Sequence, residues 1–358
     1  MQTESEVAQT PRKREVANKS GSTRKADRVV RVLVAALVAV VPSVLFLSDP
    51  PLWWNRAHLV WNKVIPGDTP VPSTAPLPRG VVVVPLTALD GTTAIVAIDV
   101  ESRENFEQLT PGDTGPGAPS ISADRRTIYY PDASGIVHSI DSEGGGSRIV
   151  FRPDGSCMNV RHVSVSAADT THILLQCRDR PTAHQTDYHD FFEIIDFKGT
   201  VQRIIRTNSS KVDDPTLSPD GNYLAYWGSA ETAIEGYPGG AIYVLDLVGG
   251  GEPRQLSLPG SARDRDPSWT ADSSSIAFTR KGDGSKDIYV VRRTGGNPRL
   301  LIQNAEKPSW SIDGESLVAV RKRSDDTVEL ISFDRRGHHV KALTGPERTI
   351  QTPVWSSR

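Results

Sequence analysis

The stretch that decides the fold is Pro267–Phe278, PSWTADSSSIAF, followed by DIYVV at 287–291 and TGGNPRLL at 294–301. A proline, a Ser-Trp pair, a hydroxyl residue and an Asp-containing turn lead into an apolar run, which reads as strand, turn, strand. DIYVVRRTGGNPRLLI at 287–302 then adds a strand, a Gly-Gly turn and another strand. Together these make one four-stranded meander, whose strands are named A to D from first to last.

The unit recurs in both directions. Its copies are APSISADRRTIYY from 118, VSVSAADTTHILL from 163, DPTLSPDGNYLAY from 214, KPSWSIDGESLVAV from 307 and a short TPVWSSR from 352. Aligned on Pro119, Val163, Pro215, Pro267, Pro308 and Pro353, the spacings are 44, 52, 52, 41 and 45 residues. A period of about 40–50 residues built from apolar strands is the mark of propeller blades. The sixth copy stops after one strand, whereas GVVVVPLTALDGTTAIVAIDVESRENFEQLT at 80–110 supplies strands B, C and D with no A before them. The strand around Thr352–Ser356 is therefore expected to complete the first blade, so that an all-β, six-bladed propeller closes without exposed sheet edges.

Composition agrees with this reading. Of 358 residues 37% are hydrophobic, and 29 glycines and 26 prolines leave little room for long helices. Lys+Arg 41 against Asp+Glu 43 gives a formal net charge of −2, which argues against nucleic acid as a partner.

The first 79 residues read differently. Residues 1–28 form a basic, apolar-poor tail expected to be disordered and cytoplasmic. Residues 29–48 contain VVRVLVAALVAVVPSVLFL, 19 positions that are apolar but for Arg31, long enough to span a bilayer. The cationic flank puts the N-terminus in the cytoplasm and everything after the span outside. A cleaved secretory signal is the rival reading, but no small-x-small site follows Leu47. Residues 49–79 hold Trp53, Trp54 and Trp61, suited to the membrane interface or to packing on the globule. They are followed by five prolines within 66–79, an extended stalk reaching on the order of 40 Å. The expected location is thus the cell membrane, single-pass, with residues 80–358 as an extracytoplasmic propeller.

The repeat resembles the TolB-like, or PD40, β-propeller family, whose pattern is close to P-x-W-S-P-D-G-x-x-I-A-F, then I-Y-V, then G-G-x-x-x-x-L-T. The likeness covers roughly 80–358, strongly in the last four copies and weakly at 119 and 163. It implies a six-bladed propeller outside the cytoplasm that works through protein contacts. The chain departs from TolB in lacking its N-terminal α/β domain and carrying an apolar anchor instead, so the partner of TolB does not transfer. Similar propellers precede hydrolase domains in prolyl-oligopeptidase-like enzymes, but this chain is read as ending where the ring closes.

Catalytic motifs are missing: there is no G-x-S-x-G, H-E-x-x-H, phosphate loop or dinucleotide pattern. His184, Asp187, His189 and Asp190 fit a solvated loop better than a metal site, and KGDGSKD at 281–287 fits a hairpin better than a calcium loop. The chain is accordingly expected to be no enzyme and to carry no cofactor or metal. Cys157 and Cys177, both in the blade anchored at Val163, are expected to form a disulfide, with two free thiols as the alternative.

In an A-B-C-D blade the A-B and C-D turns lie on one face, the B-C loops and D-to-A crossovers on the other. The B-C loops 178–191 and 228–241 are long and contribute His184, Tyr188 and Tyr237. Residues before the inner strands, Asp213, Asp214, Arg263, Asp264, Arg265, Asp266, Glu306, Lys307 and Arg348, are expected to ring the channel mouth on the same face. That face is the expected contact for a protein or cell-envelope component. The alternatives are a propeller enzyme or carbohydrate-binding domain acting at the channel, and signalling through the basic tail.

Overall fold

The computed structural model describes residues 75–102, 106–112, 115–155, 157–168, 171–179, 189–209, 211–229, 240–257, 263–282 and 284–356. The basic tail, the apolar span, the three interfacial tryptophans and most of the proline-rich stalk lie outside the described residues, as do His184, Tyr188 and Tyr237. Among the described residues no helix is long and apolar enough to cross a membrane.

Six antiparallel sheets follow one another along the chain. Blade 1 contains β1 (Val81–Thr87), β2 (Thr93–Asp99) and β3 (Phe106–Gln108), and blade 2 contains β4 (Ser120–Ile121), β5 (Thr127–Pro131), β6 (Val137–Asp141) and β7 (Arg148–Phe151). Blade 3 is β8 (Cys157–Ser164), β9 (His172–Asp179), β10 (Asp190–Asp196) and β11 (Val201–Ile205). Blade 4 is β12 (Val212–Leu217), β13 (Tyr223–Ser229), β14 (Gly240–Asp246) and β15 (Arg254–Gln255). Blade 5 is β16 (Arg263–Trp269), β17 (Ser275–Lys281), β18 (Lys286–Arg292) and β19 (Arg299–Ile302). Blade 6 is β20 (Glu306–Trp310), β21 (Ser316–Lys322), β22 (Val328–Asp334) and β23 (Lys341–Ala342). The chain then returns to blade 1, where β24 (Thr349–Ile350) and β25 (Val354–Trp355) pair antiparallel with β1.

Each element of the repeat signature has a structural task. The hydroxyl-x-Asp step builds the A-B turn: Ser122, Thr270 and Ser311 donate to the carboxylates of Asp124, Asp272 and Asp313 at 2.6, 2.7 and 2.6 Å. Those carboxylates also accept the backbone N–H groups of Arg126, Ser274 and Glu315, which fixes a tight turn as Asx geometry does. The serine after the anchor ties blades together. Ser120, Ser164 and Ser268 accept N–H from Val165, Leu217 and Trp310, at or just past the end of the next inner strand, at 2.9, 3.0 and 3.2 Å. Two of the tryptophans at the second position past the anchor reach the other way, Trp269 to the carbonyl of Thr216 and Trp355 to that of Ser309, both at 3.0 Å.

The core lies between blades, with one apolar cluster at each of the six interfaces among the described residues. Strand alternation explains this arrangement. On β17, Ile276 and Phe278 face blade 4 while Ala277 faces blade 6; on β1, Val81 and Val83 face blade 2 while Val82 and Val84 face blade 6. Each blade is thus buried on both sides, and a buried Phe278 alone is worth about 1.5–3 kcal/mol. Blade 1 is completed by β24 and β25, which bring the first and last strands of the propeller together. Ser356 seals the junction by donating to the carbonyl of Pro78 at 2.8 Å.

Candidate functional site

The inner strands β12, β16 and β20 share an irregularity that sets the chemistry of the channel. In each, pairing with the next strand slips at the anchor proline, between Asp213 and Thr216, Arg265 and Ser268, and Glu306 and Ser309. The residue before that proline, Asp214, Asp266 or Lys307, has a positive φ of 52°, 52° or 55°. A left-handed backbone at a non-glycine residue costs on the order of 1–3 kcal/mol and is held only where its surroundings enforce it. The bulge sets a charged residue at the same corner of three successive blades.

His162 of β8 joins them. Its Nε2 lies 3.3 Å from Asp213 Oδ1 and 3.6 Å from Asp214 Oδ1. On the other side Arg265 Nη1 lies 2.9 Å from Asp213 Oδ2 and 3.8 Å from Asp214 Oδ2. The guanidinium of Arg265 also sits 3.7 Å over the ring of Trp227, a cation–π contact that fixes its plane. Gly240 makes room for that indole, because a methyl group there would fall 1.9 Å from Trp227 Nε1. The chain continues through Asp266, whose N–H donates to Asp214 Oδ2 at 3.3 Å, to Lys307, whose ammonium donates to the carbonyl of Ile350 at 2.8 Å. Asp214, Asp266 and His162 line a cavity of about 150 Å³ on the axis, to which all six blades contribute.

Charge is unevenly shared in this cluster. Burial works against the ionised form of Asp213, but the hydrogen bond from His162 and the charges of His162, Arg161 and Arg265 hold its carboxyl well below the usual range. Burial and then the charge of Asp213 push Asp214 up. Burial and then the charge of Asp214 push Asp266 up to about 7. Burial opposes the imidazolium of His162, yet its hydrogen bond to Asp213 and the charges of Asp214 and Asp213 raise it overall. The mouth therefore holds a proton-sharing group of three carboxyls and an imidazole, with Arg265 and Lys307 anchored beside it.

Not every residue expected at the mouth is there. Asp264 is completely buried and receives Arg280 Nε and Nη2 on its two oxygens, both at 2.8 Å. Its position on β16 opposite Arg280 makes it an internal ion pair of blade 5, a correction of its expected role. Glu306 is held by the ammonium of Lys286, from the start of β18. Arg348 is exposed over the β1–β2 turn, its Nη1 3.7 Å from where a methyl on Gly91 would stand, and it does not line the axial cavity. The backbone of Arg263 pairs with Lys281 at the outer end of β16. His162 was missed by the sequence reading, although it occupies the same offset before Val163 that Asp214, Asp266 and Lys307 occupy before their prolines.

Cys157 and Cys177 are joined as a disulfide with Cα atoms 5.2 Å apart, linking β8 to β9. Two sets of potential metal-ligating groups occur among the described residues, His162 with Asp213 and Asp214, and the two cysteines with Glu193.

No family model matches the sequence. Over 115 residues the chain is 33% identical to the uncharacterized peptidase YuxL of Bacillus subtilis, covering 30% of this chain and 17% of that protein. Over 168 residues it is 27% identical to the uncharacterized protein Atu1656 of Agrobacterium fabrum, covering 46% of this chain and 54% of that one. The chain thus spans a small part of the first relative and about half of the second. Among solved structures, TolB from Acinetobacter baumannii superposes with a TM-score of 0.63 over 85% of this chain and 71% of its own, at 16% identity. The fold is that of the TolB-like six-bladed propeller. The expectation that the chain is no enzyme is withdrawn, because 30% of the chain aligns, at 33% identity, with a protein named as a peptidase.

Proposed function

We propose that the chain is a membrane-tethered recognition protein, with its tail in the cytoplasm, residues 29–48 in the bilayer and the propeller outside. It binds a protein or cell-envelope component at the channel mouth. The observation that carries this reading is the network of His162, Asp213, Asp214, Arg265 and Asp266 from three successive blades, of which His162, Asp214 and Asp266 line one small axial cavity. Structure alone does not call for such a group, since blades 1 and 2 close the same ring with Thr352 and Ala118 at the corresponding places. Asp214 and Asp266 are the carboxyls least matched by fixed cations, which favours a partner presenting a basic group to the cavity.

The test is cross-linked capture from envelope extracts with the parent and with the double variant Asp214→Asn/Asp266→Asn. A component held by the parent should be lost by the variant at unchanged fold. If every component captured by the parent is captured equally by the variant, the mouth is not the binding face. A reporter fused to the C-terminus should be active only outside the cytoplasm, and cytoplasmic activity would reverse the topology.

The stretch shared with the Bacillus subtilis peptidase favours a second reading, in which the propeller serves a hydrolase and the mouth admits substrate. Release of amine from fluorogenic amino-acid amides by the purified chain, abolished by substitutions at the mouth, would select that reading.

A further inference from the structure

Glu193 lies on β10 two residues after Phe191, which pairs with Cys177, so strand alternation turns both side chains to the face that meets blade 2. The surroundings there are Val137, Phe151, Val160, Ile173 and Ile195, all buried. Glu193 itself is 3% exposed, and its Oε2 has no hydrogen-bond partner among the described residues. An unpaired buried polar atom costs about 1–3 kcal/mol. The disulfide beside it does nothing to offset that cost, because a disulfide sulfur has no hydrogen to donate. Yet a carboxylate oxygen of Glu193 and the sulfurs of Cys157 and Cys177 all lie within 4.8 Å of one another.

We propose that opening the Cys157–Cys177 disulfide creates a buried site for a soft divalent cation of the zinc or cadmium type, held by the two cysteine sulfurs and Glu193. Thiolate pairs select such ions over magnesium or calcium, and a carboxylate is an accepted third ligand. Bond lengths of about 2.3 Å to sulfur and about 2.0–2.2 Å to oxygen place tetrahedral ligand atoms about 3.3–3.8 Å apart. The present spacing needs only a small side-chain adjustment to reach that. Three neighbouring hydrogen-bonded strands, β8, β9 and β10, supply one ligand each and fix the backbone in advance. Two thiolates, one carboxylate and one divalent ion leave a charge of minus one. A cation stands close by: the guanidinium of Arg206 lies 4.4 Å over the ring of Phe191, paired to Asp179 at 3.0 Å.

The chemistry balances with a dithiol as reductant. It delivers two electrons to the sulfur–sulfur bond and becomes a disulfide itself, and two protons end on Cys157 and Cys177. Metal entry then displaces those two protons to solvent, so binding tightens as pH rises. This site is separate from the channel mouth and stands whichever reading of the mouth holds.

The test uses the full-length chain, oxidised or treated with a phosphine reductant, titrated with cadmium chloride. The reduced chain should bind one cadmium ion with a thiolate-to-cadmium charge-transfer band, and the oxidised chain should show no band. Cys157→Ser should abolish the band. Glu193→Gln should weaken binding at least about tenfold, since even outer-shell partners are worth about 10–100-fold, while the oxidised variant unfolds no earlier than the parent. A reduced chain without the band overturns the proposal. So does a Glu193→Gln chain that binds cadmium as tightly as the parent, which is also what two cysteines in a chain unfolded by reduction would give.

Discussion

Around one arc of the channel the residue before the inner-strand anchor is Thr352 or Ala118; around the other it is His162, Asp214, Asp266 or Lys307. The two arcs share antiparallel strand pairing and interblade packing, and they differ in what they present to the axis. In the charged arc the backbone leaves the ladder at Asp214, Asp266 and Lys307 and adopts a left-handed conformation ahead of proline. In the plain arc neither Ala118 nor Thr352 is among the positive-φ residues. The repeat thus specifies a scaffold, and the single position before the anchor is free to carry chemistry.

The largest effect should come from the plain arc. Removing residues 349–358 takes away β24, β25 and the Ser356–Pro78 bond, exposing the apolar faces of blades 1 and 6. Cooperative thermal unfolding should be lost outright; a single sharp transition near the parent's would mean that the ring does not depend on its closing strands.

Within the charged arc, two aspartates two residues apart should behave oppositely. Asp264→Ala takes both charge-assisted hydrogen bonds from the half-buried Arg280 and should cost about 1.5–3 kcal/mol in denaturant unfolding. Asp266→Ala removes a carboxyl whose ionisation the fold opposes and should leave stability at pH 7 equal to or above the parent's. Equal losses would erase the distinction between an internal ion pair and a group facing the axis.

The proton-sharing group gives a pH dependence that the plain arc lacks. Folded Asp266 keeps its proton up to about 7 against an ordinary value of 3.8, so between those values the folded chain binds more protons than the unfolded one. Stability should therefore fall as pH rises through that window, by about 2 kcal/mol between pH 5 and pH 7. His162, raised above 6.5, adds a loss of the same sign at higher pH. Asp266→Asn should flatten the first component and keep the second; parallel curves for parent and variant would remove Asp266 from the group. The smallest effect is expected at Arg348, where Arg348→Ala should change stability by no more than about 0.5 kcal/mol and leave partner capture as it was.

Much of this molecule is legible in its repeat. The Ser-x-Asp turns, the anchor prolines and the strand count all follow from local chemistry, which acts within about ten residues and so is written in consecutive letters. The candidate site is less legible. Asp264 and Asp266 read alike in RDRDP, and what separates them is a slip in strand register between Arg265 and Ser268 that faces one to Arg280 and the other to the axis. His162 escaped notice because its blade has valine where the others have proline, although its offset was the same.

The sequence by itself determined six blades and closure through the C-terminal strand, because period, alternation and turn residues are local quantities that survive translation into one dimension. Only the tertiary structure decided which charges meet. His162, Asp213 and Arg265 lie 51 and 52 residues apart along the chain yet touch because they fall at adjacent positions near the anchors of neighbouring inner strands. Glu193 was brought against the Cys157–Cys177 bridge by strand pairing in the same way. Contacts across blades depend on register, bulges and the curvature of the ring, and no stretch of neighbouring residues encodes those one at a time.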